Sequence, residues 1–203
     1  MIHLVRVFGR AYEILGGMMK NHTMQGEVMR YRRAWVKGGT FFFTVVLINR
    51  KQDLLVRHIN ILRGAVRRVR KNHPFTIVAM VVLPEHLHAI WQLPQDDTNY
   101  PLRWSLIKAC FSRALPKTEP IHPSRARKQE RGIWQRRYWE HQIRNETDLQ
   151  HHVDYIHYNP VKHGYTVRPA DWPFSSIHQY IADGVLPEDW GCGEMDMLRS
   201  YGE

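Results

Sequence analysis

A chain of 203 residues is the length of one ordinary domain, and its 43% hydrophobic content is enough to fill a single core. Lys and Arg outnumber Asp and Glu by 29 to 19, so the formal net charge is +10, which points to a polyanionic partner, nucleic acid being the commonest. Cys110 and Cys192 stand far apart and outside any CxxC spacing, which excludes a disulfide framework and a thiolate zinc site; no apolar run approaches the roughly 20 residues of a membrane-spanning helix.

Residues 1–28 contain Gly16-Gly17 and a scatter of methionines without a sustained period, and are expected to be an extension rather than core. Arg6, Arg10 and Glu13 interrupt their apolar stretch, which argues against a secretory signal and for a cytoplasmic location. From Thr40 to Ile48 the run TFFFTVVLI is β-branched and aromatic and reads as a strand buried on both faces. Leu55, Ile59, Leu62, Val66 and Val69 form one helical stripe between about Asp53 and Asn72, which Pro74 ends. Phe75 to Leu83 and His86 to Leu93 read as two strands of a hairpin joined at Pro84-Glu85. Leu102, Trp104, Ile107, Phe111 and Leu115 then give a second helix. Pro116 to Gln135 is rich in Pro and Arg and is expected to be a loop or partly ordered arm. A last strand near Arg137 to Ile143 completes the order β-α-β-β-α-β, a ferredoxin-like α+β fold with a four-stranded antiparallel sheet. A further helix starts after Asn145, a suitable cap, with Leu149, Val153 and Ile156 turned to the core. The expected division is therefore an extension over 1–28, a catalytic domain over 29–171 with its arm near 116–137, and a tail over 172–203.

Two short elements bear chemistry. His86 and His88 alternate on a strand and so point to one side, where neutral imidazoles can share a divalent ion; a solvated sheet face that happens to carry two histidines is the plainer reading. On the last helix Tyr155 lies away from the Leu149, Val153 and Ile156 stripe and is not an obvious core residue. A phenol becomes a useful nucleophile only when its oxygen is deprotonated or stabilised as it attacks, and a nearby divalent metal polarises a phosphate for that attack. A tyrosine that hydrogen-bonds locally on a half-exposed helix face is the alternative.

The segments LPEHLHAIW, YWEHQIRN and HHVDYIHYNPVKHGYTVRPADWPFSS, in this order, resemble the REP-associated tyrosine transposases, single-tyrosine members of the HUH endonuclease superfamily. The likeness runs from about Tyr31 to Trp190. It implies that His86 and His88 are metal ligands and that Tyr155 is the nucleophile. It also implies Mg²⁺ or Mn²⁺ as the ion, a 5′-phosphotyrosine intermediate, and a single-stranded DNA partner folded as repeated-palindrome hairpins. The family further implies a monomer, and a tail over 172–203 that can lie near the active site; the basic, reducing-compartment composition places the protein on the nucleoid. Relatives supply a third ligand, usually Gln, four residues after the nucleophile. Asn159 stands there in this chain, and Pro160 behind it leaves two readings open: a ligand, or the cap of a new turn that begins at Pro160.

The expected DNA surface is the basic arm, Arg125, Arg127, Lys128, Arg136 and Arg137, interleaved with Tyr138 and with Trp134, whose indole could stack on a base. Arg32, Arg33 and Lys37 form a second basic cluster before the first strand. Arg67, Arg68, Arg70 and Lys71 read equally well as the wet side of their helix. Two other functions fit less of the sequence: a hairpin-binding protein of the same fold without activity, and an unrelated metal hydrolase, for which no HExxH pattern exists.

Overall fold

The computed structural model describes residues 36–192. The expected extension over 1–28, Arg32 and Arg33 lie outside the described residues. Strand β1 (Thr40–Val46) is followed by a one-turn helix α1 (Leu54–Arg57), the longer helix α2 (Ile59–Asn72), strands β2 (Thr76–Val82) and β3 (His86–Gln92), and helix α3 (Tyr100–Arg113). A one-turn helix α4 (Pro123–Ala126), strand β4 (Trp139–Gln142), helix α5 (Glu146–Lys162), a 3₁₀ turn (Pro169–Asp171) and helix α6 (Ile177–Ala182) complete the order. The sheet runs β2-β3-β1-β4, antiparallel throughout, which is the β-α-β-β-α-β arrangement the sequence predicts.

The alternation of TFFFTVV explains how the sheet is covered on both sides. Phe41, Phe43 and Val45 join Leu62, Val66 and Val69 of α2 and Trp104, Ile107 and Phe111 of α3 in one core layer. Phe42 turns the other way, into a second layer with Ala79, Ile90, Val153, Tyr155, Ile156 and Tyr180. A central strand with helices on both faces has no polar side to show, so its residues need not alternate between apolar and polar. Trp91 and Trp104 stack at 4.0 Å between centroids in the first layer, and Arg103, only 2% exposed, pins the two loops beneath it. Its guanidinium donates to the carbonyls of His73 and Pro74 and to the Asp97 carboxylate, the last at 2.6 Å.

Three local expectations change. The helix expected from Asp53 to Asn72 is broken at His58, whose φ of −113° and ψ of 34° are not helical. The first turn is instead docked on the β2–β3 turn, where Leu55 N donates to Pro84 O at 3.1 Å. The arm is folded back on the domain: Arg131 pairs with Glu119 and donates to the carbonyls of Leu115 and Pro116, gathering the arm around one guanidinium. Beyond it Ile48 N donates to Ile133 O and Gln135 N to Val46 O, so the arm continues the sheet edge past β4. Finally, α5 does not stop before Pro160 but runs through it to Lys162. Its start is the expected one, with Asn145 accepting from Asp148 N at 2.9 Å.

Candidate active site

The site lies where α5 crosses the face of β3 that carries the two histidines. His86 and His88 point the same way, with ring centroids 4.9 Å apart, and both are nearly covered at 3% and 2% exposure. Each uses its Nδ1 for a hydrogen bond: His86 to Glu85 Oε1 at 2.8 Å and His88 to Thr44 Oγ1 at 3.0 Å, Thr44 being its cross-strand partner in register. Such bonds set ring orientation and, with the proton on Nδ1, leave Nε2 to present its lone pair, the arrangement in which histidines hold metals. His88 Nε2 is buried with no protein partner.

Electrostatics keep His88 in its useful form. Burial, helped by the adjacent His86, His163 and Lys162, pushes the His88 imidazole well below its ordinary range, so it is neutral at pH 7. Burial works to raise the Glu85 carboxyl, yet its hydrogen bond to His86 and the attraction of that ring hold it below the usual value. Glu85 is therefore an ionised acceptor facing His86.

Helix α5 supplies the other half. Tyr155, expected away from the core, is in it: 3% exposed, its ring 5.1 Å from His88 and 5.9 Å from Phe42. Counting outward from Leu149, Val153 and Ile156 misses this because α5 lies flat on the sheet, which buries a wider stripe than three residues mark. Four residues on, Asn159 is 0% exposed, and neither its Oδ1 nor its Nδ2 has a partner. The capping reading of Asn159 is excluded, since the helix continues past it and its side chain caps nothing. Two orphaned amide atoms one helical turn from Tyr155, and an orphaned imidazole nitrogen on the ring that meets Tyr155, are polar groups of the kind a divalent ion would satisfy. Two imidazoles and an amide oxygen suit Mn²⁺ or Mg²⁺.

Two residues of the same helix face were not singled out in the sequence. Lys162 places its ammonium 5.0 Å from the centroid of the Tyr155 ring, and His163 lies 5.1 Å from His86. Positions 155, 159, 162 and 163 recur at the 3.6-residue period, so counting on from the tyrosine would have found both. The structure also gathers His141, Asp148 and His152, whose donor atoms all lie within 4.8 Å of one another. The Asp148 carboxylate joins the two rings, 2.9 Å from His141 Nε2 and 3.0 Å from His152 Nδ1, and so ties β4 to the first turns of α5. Phe42 separates this group from the histidine pair, 4.8 Å from His152 and 5.5 Å from His88.

The expected DNA-contacting residues differ in exposure. Lys37, Arg127, Lys128 and Arg137 are exposed, whereas Arg125 is half-buried and bonded to the carbonyls of Arg131 and Trp134. Arg136 pairs with Glu130 at 2.7 Å. Trp134 cannot stack on a base as expected: it is 5% exposed and packs edge-on against Phe111 at 5.4 Å. No helix of the described residues is long and apolar enough to cross a membrane.

No family model matches the chain. It is 47% identical over 162 residues to a protein of Haemophilus influenzae named as a REP-associated tyrosine transposase, a stretch covering 79% of this chain and 92% of that one. It is 48% identical over 160 residues to the REP-associated tyrosine transposase of Escherichia coli K12, covering 79% of this chain and 89% of the relative. The solved structure of a REP-associated tyrosine transposase bound to a REP hairpin superposes with a TM-score of 0.72 at 44% identity, covering 87% of this chain and 98% of the other. Membership of this group implies a divalent metal in the chemistry. With relatives this similar matched over most of their length and the same fold, the chain belongs to the REP-associated tyrosine transposases and is an enzyme of the transposase type.

Proposed function

We propose that this chain cuts and rejoins single-stranded DNA at the foot of palindromic hairpins, with Tyr155 as nucleophile and His86, His88 and Asn159 as the ligands of Mg²⁺ or Mn²⁺. The observation that carries the reading is the meeting of His88 and Tyr155 at 5.1 Å, with the unpartnered amide of Asn159 one helical turn away. The ion, when bound, supplies a Lewis acid for a phosphate oxygen. The Tyr155 oxygen forms an ester to phosphorus as the bond to the 3′-oxygen breaks. The phenol gives up its proton and the departing 3′-oxygen takes one up. One phosphoester replaces another, so a second 3′-hydroxyl can later reverse the exchange without ATP. The ammonium of Lys162 over the tyrosine ring favours the phenolate as it forms.

The hairpin partner follows from the relative solved with a REP hairpin, and the exposed Lys37, Arg127, Lys128 and Arg137 provide cations for its phosphates. We take Arg32 and Arg33 to belong with Lys37, the working unit to be a monomer, and the location to be the nucleoid in the cytoplasm. The proposed division remains an extension over 1–28, a catalytic domain over 29–171 and a tail over 172–203.

The test is incubation of the full chain with a labelled hairpin oligonucleotide and Mn²⁺. A covalent protein–DNA species is expected, lost in Tyr155→Phe and kept in Tyr158→Phe. An adduct mapped to Tyr158, or undiminished cleavage by Tyr155→Phe, overturns the assignment.

A further inference from the structure

Behind the sheet, on the face turned away from Tyr155, α3 and the folded arm enclose a recess of about 540 Å³. Its walls carry five cationic side chains, Lys108, Arg113, Arg125, Arg131 and Arg136, and one carboxylate, Glu130. The carboxylates within reach are already committed. Glu130 lies 2.7 Å from Arg136 and 3.6 Å from Arg125, and Arg131 is held by Glu119. Lys108 and Arg113 have no carboxylate partner among the described residues. The Lys108 amine donates only to the Gln135 carbonyl, at 3.0 Å, and sits 5.2 Å from the Tyr138 ring centroid and 5.9 Å from that of Trp134.

A half-buried ammonium without a counter-ion is costly to keep charged. Burial and the repulsion of Arg125 bring Lys108 down to about 8. An anion that enters offsets both penalties, because its attraction for the ammonium compensates the lost hydration and screens it from Arg125. The recess is several times the volume of a water molecule and admits a group the size of a phosphate. Two uncommitted cations facing one space select a multiply accepting anion over a carboxylate, and phosphate is the one a nucleic-acid strand carries.

We propose that this recess is a second anchoring site, taking a backbone phosphate of the DNA through Lys108 and Arg113, on the opposite side of the sheet from the nucleophile. That the phosphate belongs to DNA rests on the transposase reading; the anion chemistry of the recess does not. A strand held here as well as at Tyr155 wraps the edge of the sheet, and its position is set at two points.

The experiment is a footprint of Lys108 with an amine-acylating reagent at pH 8, read by mass spectrometry on the full-length protein alone, with pyrophosphate, and with the hairpin oligonucleotide. An amine with a pKa of about 8 is roughly half neutral there and labels faster than ordinary lysines. Protection by the hairpin is expected. Lys108→Met and Arg113→Gln should each weaken hairpin binding by about tenfold and lower its salt slope by about one, while the thermal shift caused by Mn²⁺ is unchanged. Protection by pyrophosphate but not by DNA overturns the strand assignment in favour of a free phosphate ligand. Protection by neither, or unaltered affinity and slope in both variants, overturns the site. Failure of the transposase reading looks different: the wild-type protein does not bind or cut the hairpin, yet pyrophosphate still protects Lys108.

Discussion

Replacing Asn159 by Leu separates a metal ligand from a residue that merely fills space. The side chain is wholly buried and both amide atoms lack partners, so the metal-free fold bears the desolvation of each, about 1–3 kcal/mol per atom. Leu branches at the same position but is bulkier, and fitting it takes back about 1–3 kcal/mol. The net expectation is stabilisation by about 2 kcal/mol in EDTA, which for a chain of this length raises the thermal midpoint by about 4–8 °C. With Mn²⁺ the order reverses. Wild-type protein at a hundredfold excess over the dissociation constant gains about 2.7 kcal/mol, and the variant, lacking one ligand, gains much less. Differential scanning calorimetry with and without Mn²⁺ measures both halves, and the hairpin cleavage assay adds the activity, which should be lost. A variant less stable than wild type in EDTA that keeps the full Mn²⁺ shift would refute the argument, because the amide would then be satisfied by the protein and not by an ion.

Thr44→Val removes the group that fixes His88 Nδ1 and should weaken Mn²⁺ binding by about 10–100-fold without unfolding the domain; titration calorimetry checks it, and unchanged affinity removes Thr44 from the site. Arg103→Met removes a buried guanidinium from a half-buried Asp97 and strands the carbonyls of His73 and Pro74, so chemical denaturation at pH 7 should show a loss of about 2–4 kcal/mol. That loss depends on pH in a definite direction. The hydrogen bond from Arg103, against a smaller opposing effect of burial, holds the Asp97 carboxyl below its ordinary value. Its contribution is thus complete above the unfolded carboxyl range and disappears as pH falls through the folded value. The gap between wild type and variant should narrow in acid to the part owed to the two carbonyls, and a gap that stays constant down to pH 2 shows that Asp97 is not the partner that matters.

The sequence carried the strand order, because β-branched and aromatic runs, helical stripes and the proline at 74 are local signals that tertiary contacts had no reason to override. It also carried the histidine pair, since alternation on a strand fixes which side chains share a face. The burial of Tyr155 was not legible, because a helix laid against a sheet buries positions according to its roll, and nothing in residues 146–162 states that roll. The choice at Asn159 likewise needed the fold: local chemistry makes Asn-Pro a fair helix start, and only packing of α5 across β3 carries the helix through Pro160 and closes water away from the amide. The arm read as a loop because it lacks periodicity, yet one guanidinium, Arg131, reaching Glu119 and two carbonyls folds it into the recess wall. Sequence thus determined what could form by short-range rules, the strands, the caps and the same-side histidines. Tertiary structure decided which polar groups lost their water without gaining a partner, because desolvation depends on what residues far along the chain bring to cover them.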